Sequence, residues 1–191
     1  MKKLLIGAAL ALGLMTGGAQ ATVYNFTGGN NPTGTGDLAS IGCTATGYFN
    51  YGCAVTYNAD GLGVDGRPDA HPGMIDGIPG SETLTLYFTK AVTVTQFVIG
   101  HLNWGDDFQV ITDVATHNYG PSGLSNPFAL NDLTNFISFR TTGTLYDWRG
   151  PDAITLASLT AIAPVPLPAS ALLLLGALGG LGALRRRRKT A

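Results

Sequence analysis

Charge and apolar character are segregated along this chain, and that segregation confines any packed core to its middle. Of the 11 Lys and Arg, Lys2 and Lys3 open the sequence, and Arg185, Arg186, Arg187, Arg188 and Lys189 close it. Only Arg67, Lys90, Arg140 and Arg149 fall between. All 12 acidic residues also fall between, so the middle sets four basic against 12 acidic side chains, a formal −8, although the whole chain is at −1. The apolar residues do the opposite, concentrating in runs at 4–14 and 169–184 just inside the basic ends. An acidic middle repels phosphate backbones, so nucleic acid is not an expected partner.

At the start, Met1-Lys2-Lys3 is followed by the apolar run and then by Ala19-Gln20-Ala21. A basic start, a short apolar run and small residues at a cleavage site define a secretory signal. The run is too short for a membrane span of ~20 residues. Residues 1–21 are therefore expected to be a signal peptide, cleaved after Ala21 to leave Thr22 first.

At the other end, residues 169–184 are Ala, Leu, Gly and one Ser, with no charge. As a helix this run would reach about 24 Å. That is somewhat less than a ~30 Å hydrocarbon core, a difference that Leu167, Pro168 and snorkelling arginines can cover. Clustered positive charge stays on the cytoplasmic side, so the preceding domain is expected to face outward. Val165, Pro166, Leu167, Pro168 and Ala169, then a Leu/Ala/Gly helix, then Arg185, Arg186, Arg187 and Arg188, together resemble the VPLPA variant of the PEP-CTERM sorting signal. The resemblance spans roughly residues 164–189. It implies export in a Gram-negative bacterium and a precursor tethered to the inner membrane by its C-terminal helix. It also implies processing by an exosortase, and a mature form at the cell surface or outside it. Ectodomains of that family are varied and commonly associated with exopolysaccharide or biofilm. A permanent single-span anchor is the plainer alternative for the same residues.

Residues 22–163 remain, near the commonest domain size of ~100–150 residues. Thr83-Leu84-Thr85-Leu86-Tyr87-Phe88 alternates with period two, and 92–99 is β-branched and aromatic. With Lys90-Ala91 between them, the two runs are expected as neighbouring strands, as in a hairpin. Further strands are expected at 23–27, 54–58, 108–114, 136–141 and 154–162. Short strands with Gly, Asn and Pro loops predict an all-β sandwich, jelly-roll-like in topology.

Cys43 and Cys53 are the only cysteines. An even count in an exported, oxidising setting predicts a disulfide closing a small loop.

Between Gly61 and Gly77 the chain is rich in Gly and Asp, and Asp65, Asp69 and Asp76 bring carboxylates together in one stretch. Calcium takes six to eight oxygens, so these three are the candidate ligands for a calcium ion. The spacing is not that of an EF-hand, since the third position from Asp65 is Arg67. The same residues would equally serve as turn formers on a soluble surface, and the sequence leaves both readings open.

Trp104 and Asp106 in Asn103-Trp104-Gly105-Asp106-Asp107, and Trp148 in Tyr146-Asp147-Trp148-Arg149, place indoles beside carboxylates. Aromatic faces stack on sugar C–H surfaces while Asp and Asn accept from hydroxyls, so these three are the candidate ligand-binding residues. Half-buried tryptophans at strand ends would look the same. No G-x-S-x-G, H-E-x-x-H or phosphate-binding Gly-rich loop is present, so no catalytic residue is assigned. The expectation is a structural or adhesive component of surface or matrix, not an enzyme. A calcium-dependent glycan-binding module is the alternative, and a glycan-cleaving enzyme comes after it.

Overall fold

The computed structural model describes residues 20–46, 52–66, 71–77, 80–103, 105–120, 126–141, 152–164 and 176–177. The chain divides into two units, one of Met1–Ala19 with Val165–Ala191 and the other of Gln20–Pro164. In the first, Gly176 and Ala177 are described, and both are helical. Among the described residues no helix is long and apolar enough to cross a membrane. The signal sequence up to Ala19, the Val165–Ala169 motif (165–169), Arg185 to Arg188, Asp69, Trp104 and Trp148 lie outside the described residues.

The Gln20–Pro164 unit is all-β and sandwich-like. Its strands are β1 (Ala21–Asn25), β2 (Leu38–Thr46), β3 (Ala54–Asn58), β4 (Gly61–Asp65), β5 (Ile75–Asp76) and β6 (Ser81–Ile99). They continue with β7 (Phe108–Thr112), β8 (Thr116–Tyr119), β9 (Phe128–Thr141), β10 (Ala153–Ile154) and β11 (Leu156–Ile162). Nine of them form one antiparallel sheet in the order β3-β4-β11-β6-β9-β7-β8, with β1 also on β11 and β2 also on β6. The other two, β5 and β10, make a separate two-stranded ladder.

Strand β6 corrects the expected hairpin. Residues 83–88 and 92–99 are one 19-residue strand, because Lys90-Ala91 offers no Gly, Asn or Pro to reverse the chain. Its two halves take different neighbours. Residues 81–88 pair with β2, residues 93–99 pair with β11, and β9 runs along the other side of both. The register shifts between Tyr87 and Val92 and again between Val94 and Gln96. Each residue slipped exchanges the two faces of a strand. Accordingly Leu84, Leu86, Phe88, Val92 and Val94 are buried at even positions, and Phe97 and Ile99 at odd ones. A strand whose inward face changes in this way, together with the long β9, supplies side chains along the whole core.

That core is aromatic at its centre. Phe97 stacks on Phe128 at 5.0 Å and meets Phe139 edge-on at 5.3 Å, while Phe108 stacks on Tyr119 at 4.9 Å. Offset and edge-on pairs of this kind add about 0.5–1.5 kcal/mol each beyond the area they bury. At the other side, Tyr24 is buried and its hydroxyl accepts the Asp37 backbone N–H at 3.0 Å, tying β1 to the turn before β2. The first and last strands pair antiparallel from Ala21 opposite Ile162 to Asn25 opposite Ser158. Cys43 in β2 and Cys53 just before β3 are bonded, with their Cα atoms 6.1 Å apart.

The Gly-rich 61–65 segment, expected to be loop, is the buried strand β4. Glycine is required there for closeness: a Cβ on Gly63 would lie 1.8 Å from the Gly73 carbonyl oxygen. The approach is fixed by the bridge between Val64 and Met74.

Candidate functional site

One end of the Gln20–Pro164 unit gathers buried acidic side chains from four separate segments. Glu82 is the first inward residue of β6, on the same face as Leu84 and Leu86, and is 4% exposed. The backbone of Gly66, just after β4, closes over it, since a Cβ there would lie 2.3 Å from Glu82 Oε1. Asp76, in β5, is buried and its backbone N–H donates to Glu82 Oε2 at 3.2 Å. Asp76 Oδ2 accepts the His71 backbone N–H at 2.8 Å, and the His71 ring nitrogen Nδ1 lies 3.5 Å from the same oxygen.

The ladder of β5 with β10 extends the cluster, because Ala153 pairs with Asp76. Asp152, immediately before Ala153, is also buried. Asp106 reaches the same ladder from the segment after β6. Its carboxylate accepts the backbone N–H groups of Asn103 and Ala153. Burial pushes the Asp106 carboxyl above its usual range, and those two N–H bonds and the neighbouring His101 pull it back. Carboxylates withdrawn from water are costly unless they are hydrogen-bonded or paired, so the bonds to His71, Asn103, Asp76 and Ala153 backbone are what hold this end together.

The fold therefore brings Asp76 and Asp106, which the sequence placed in unrelated stretches, to the two sides of one short ladder. Asp65 is half-buried at the end of β4, opposite Ala54. Asp69, the third expected calcium ligand, lies outside the described residues, as do Trp104 and Trp148. Among the described residues no three His, Cys, Asp or Glu side chains are grouped to hold a metal ion. The three histidines occupy three places. His71 lies on Asp76, His101 Nε2 is 2.8 Å from Asn103 Nδ2, and His117 Nε2 is 2.8 Å from Asp132 Oδ2.

Glu82, His71 and Asp152 were not among the site residues expected from sequence. For Glu82 the signal was present: alternation that turns Leu84, Leu86 and Phe88 inward also turns the residue two before Leu84 inward. An acidic residue on the apolar face of a strand marks a buried polar contact. For His71 and Asp152 no such pattern exists, since both precede strands of only two residues, His71 by four positions and Asp152 by one.

No family model matches this chain, and no curated protein matches it.

Proposed function

We propose that this chain is an exported component of the cell surface or extracellular matrix, structural or adhesive in role and processed through its C-terminal segment. The observation that carries the reading is the bonded Cys43–Cys53 pair inside an all-β body. Disulfides persist in oxidising compartments, and this one sits between a start that reads as a secretory signal and an end that resembles a sorting signal. The pairing of β1 with β11 supports it further. Chain entry and exit lie side by side at Ala21 and Ile162, so both connections of this unit leave from one pair of strands. The finer topology we read as jelly-roll-like, from the two long strands that supply side chains along the core.

The test is the fate of the full chain expressed in a Gram-negative host that contains an exosortase. Mature protein should begin at Thr22, lack the arginine block and be found outside the inner membrane. Deleting residues 185–189 should leave unprocessed precursor. Chain that keeps Met1, stays in the cytoplasm and has both thiols reduced would overturn the proposal.

A further inference from the structure

The outward face of the sheet across β2, β6, β9, β7 and β8 carries a second arrangement, remote in kind from the acidic end. Residues directly opposite one another on paired strands share a face. The registers align Thr44, Thr83, Arg140, Gln109 and Asn118 in one row across five strands. Their side chains are linked: Arg140 Nη2 donates to Gln109 Oε1, and Gln109 Nε2 donates to Asn118 Oδ1 at 2.8 Å. Four residues along the same strands, about 13 Å away at ~3.3 Å per residue, Tyr87 stands opposite Phe136. Their ring centroids are 6.5 Å apart and Tyr87 is 47% exposed. The Tyr87 ring lies over Gly42 of β2, where an added Cβ would meet Cε2 in ordinary contact at 3.6 Å.

Two features of this face point to its occupant. Two adjacent aromatic rings, one nearly half exposed, offer the apolar, π-negative surface on which the C–H face of a sugar ring stacks. Between them and the amide row, the Thr85 and Ser138 hydroxyls bond each other at 2.8 Å and are buried, so they tie β6 to β9 beneath this face. The second feature is charge. In a middle segment with four basic and 12 acidic residues, Lys90 is matched with Asp37 at 3.2 Å. Among the described residues Arg140 has no carboxylate within ion-pairing distance. A guanidinium held in place by an amide, with no counter-charge among the described residues, fits a ligand carboxylate.

We propose that this face binds a sparsely charged acidic polysaccharide, with one sugar ring on Tyr87 and Phe136 and a uronate carboxylate at Arg140. Sparse charge matters because the middle of the chain is itself acidic. A nucleic-acid strand, with a phosphate on every nucleotide, meets a single cation here and is repelled by the rest. The proposal deepens the adhesive reading above, and rests on it for why such a polymer would be met.

The test uses the full chain purified in nonionic detergent, titrated by calorimetry with hyaluronan octasaccharides, in which uronate alternates with neutral sugar. Dextran and oligo-dT of similar length are the comparisons. Hyaluronan should bind, dextran should bind at least tenfold more weakly, and oligo-dT should not bind. Tyr87→Ala and Arg140→Gln should each weaken hyaluronan at least tenfold, while Arg140→Gln leaves the dextran affinity unchanged. Thermal unfolding of both variants in parallel should show melting temperatures close to that of the parent chain. No binding of hyaluronan, tighter binding of oligo-dT, or equal affinity in parent and folded variants would overturn the proposal. So would concentration-dependent self-association abolished by Tyr87→Ala without sugar binding. Surface localisation separates this from the adhesive reading. If the chain is exported and retained but binds no hyaluronan, only the polysaccharide proposal falls. If it never leaves the cytoplasm, only the adhesive reading falls.

Discussion

The backbone N–H of Asp76 donates to the Glu82 carboxylate at 3.2 Å, so the short β5–β10 ladder is pinned to the first inward residue of the longest strand. Removing that carboxylate leaves a buried N–H without its acceptor, a loss of about 1–3 kcal/mol. Glu82→Ala should therefore lower the unfolding free energy of the full chain by at least that amount in urea titration. Thr83→Ala, on the opposite face of the same strand, should change it by less than about 0.5 kcal/mol.

Gly63 is irreplaceable for a different reason. The carbonyl oxygen of Gly73 occupies the place a side chain would need, 1.8 Å from the Cβ position. Gly63→Ala should destabilise by about 2 kcal/mol or more, since backbone on both sides must shift. Gly52, whose Cβ position has nothing within 4 Å, is the matched control and should tolerate alanine. Midpoints of thermal unfolding for the two variants decide the point.

The Cys43–Cys53 bridge closes a loop with a sequence separation of 10. Loop-closure entropy alone assigns it about 2–3 kcal/mol. Unreduced native protein should take up no alkylating reagent. Reductant should move the urea midpoint down by the equivalent of that energy, and should leave a Cys43→Ala/Cys53→Ala chain unaffected.

Asp106 and Asp113 should give opposite pH dependences. Burial raises the Asp106 pKa in the folded state, so its contribution is fully present below the unfolded value and is lost as pH rises through the folded one. Asp113 accepts the Asn135 backbone N–H, with the Thr134 hydroxyl and the Asn135 side chain also bonded, and its pKa is lowered. Its contribution is present above the unfolded value and is lost as pH falls through the folded one. In urea unfolding between pH 3 and 7, the stability of Asp106→Asn relative to the parent should rise with pH. That of Asp113→Asn should fall.

What the sequence made legible was whatever repeats locally. The alternation in β6, the β-branched run after it, and the 54–58 strand stand out because period two is written into consecutive residues. Strand β4 was read as loop because glycines carry no pattern, although it pairs with β3 along its whole length; its contacts on the other side come from Met74 and Leu156. Strands β2 and β8 were missed for a related reason. Ser40, Gly42 and Thr44 on β2, like Thr116 and Asn118 on β8, are polar or small and become strand residues only through their partners on β6 and β7. The candidate site followed the same division. Asp76 and Asp106 could each be noticed, but the ladder that joins them needs Ala153, more than 40 residues from either.

The antiparallel pairing of β1 with β11 also has a mechanical meaning. Ladder hydrogen bonds lie across the strands, so the direction of a pull decides whether they yield singly or together. Drawing Ala21 and Ile162 apart would load the bonds at that end first and open the β1–β11 seam like a zipper. A tug on Ile162 resisted from the β2–β6–β9 face runs lengthwise along β11, which is flanked by β1 on one edge and β6 on the other. The same strand is then loaded in shear, and its bonds share the force. Fastened by its carboxyl end, this body would withstand a drag that would peel it open if it were strung from both.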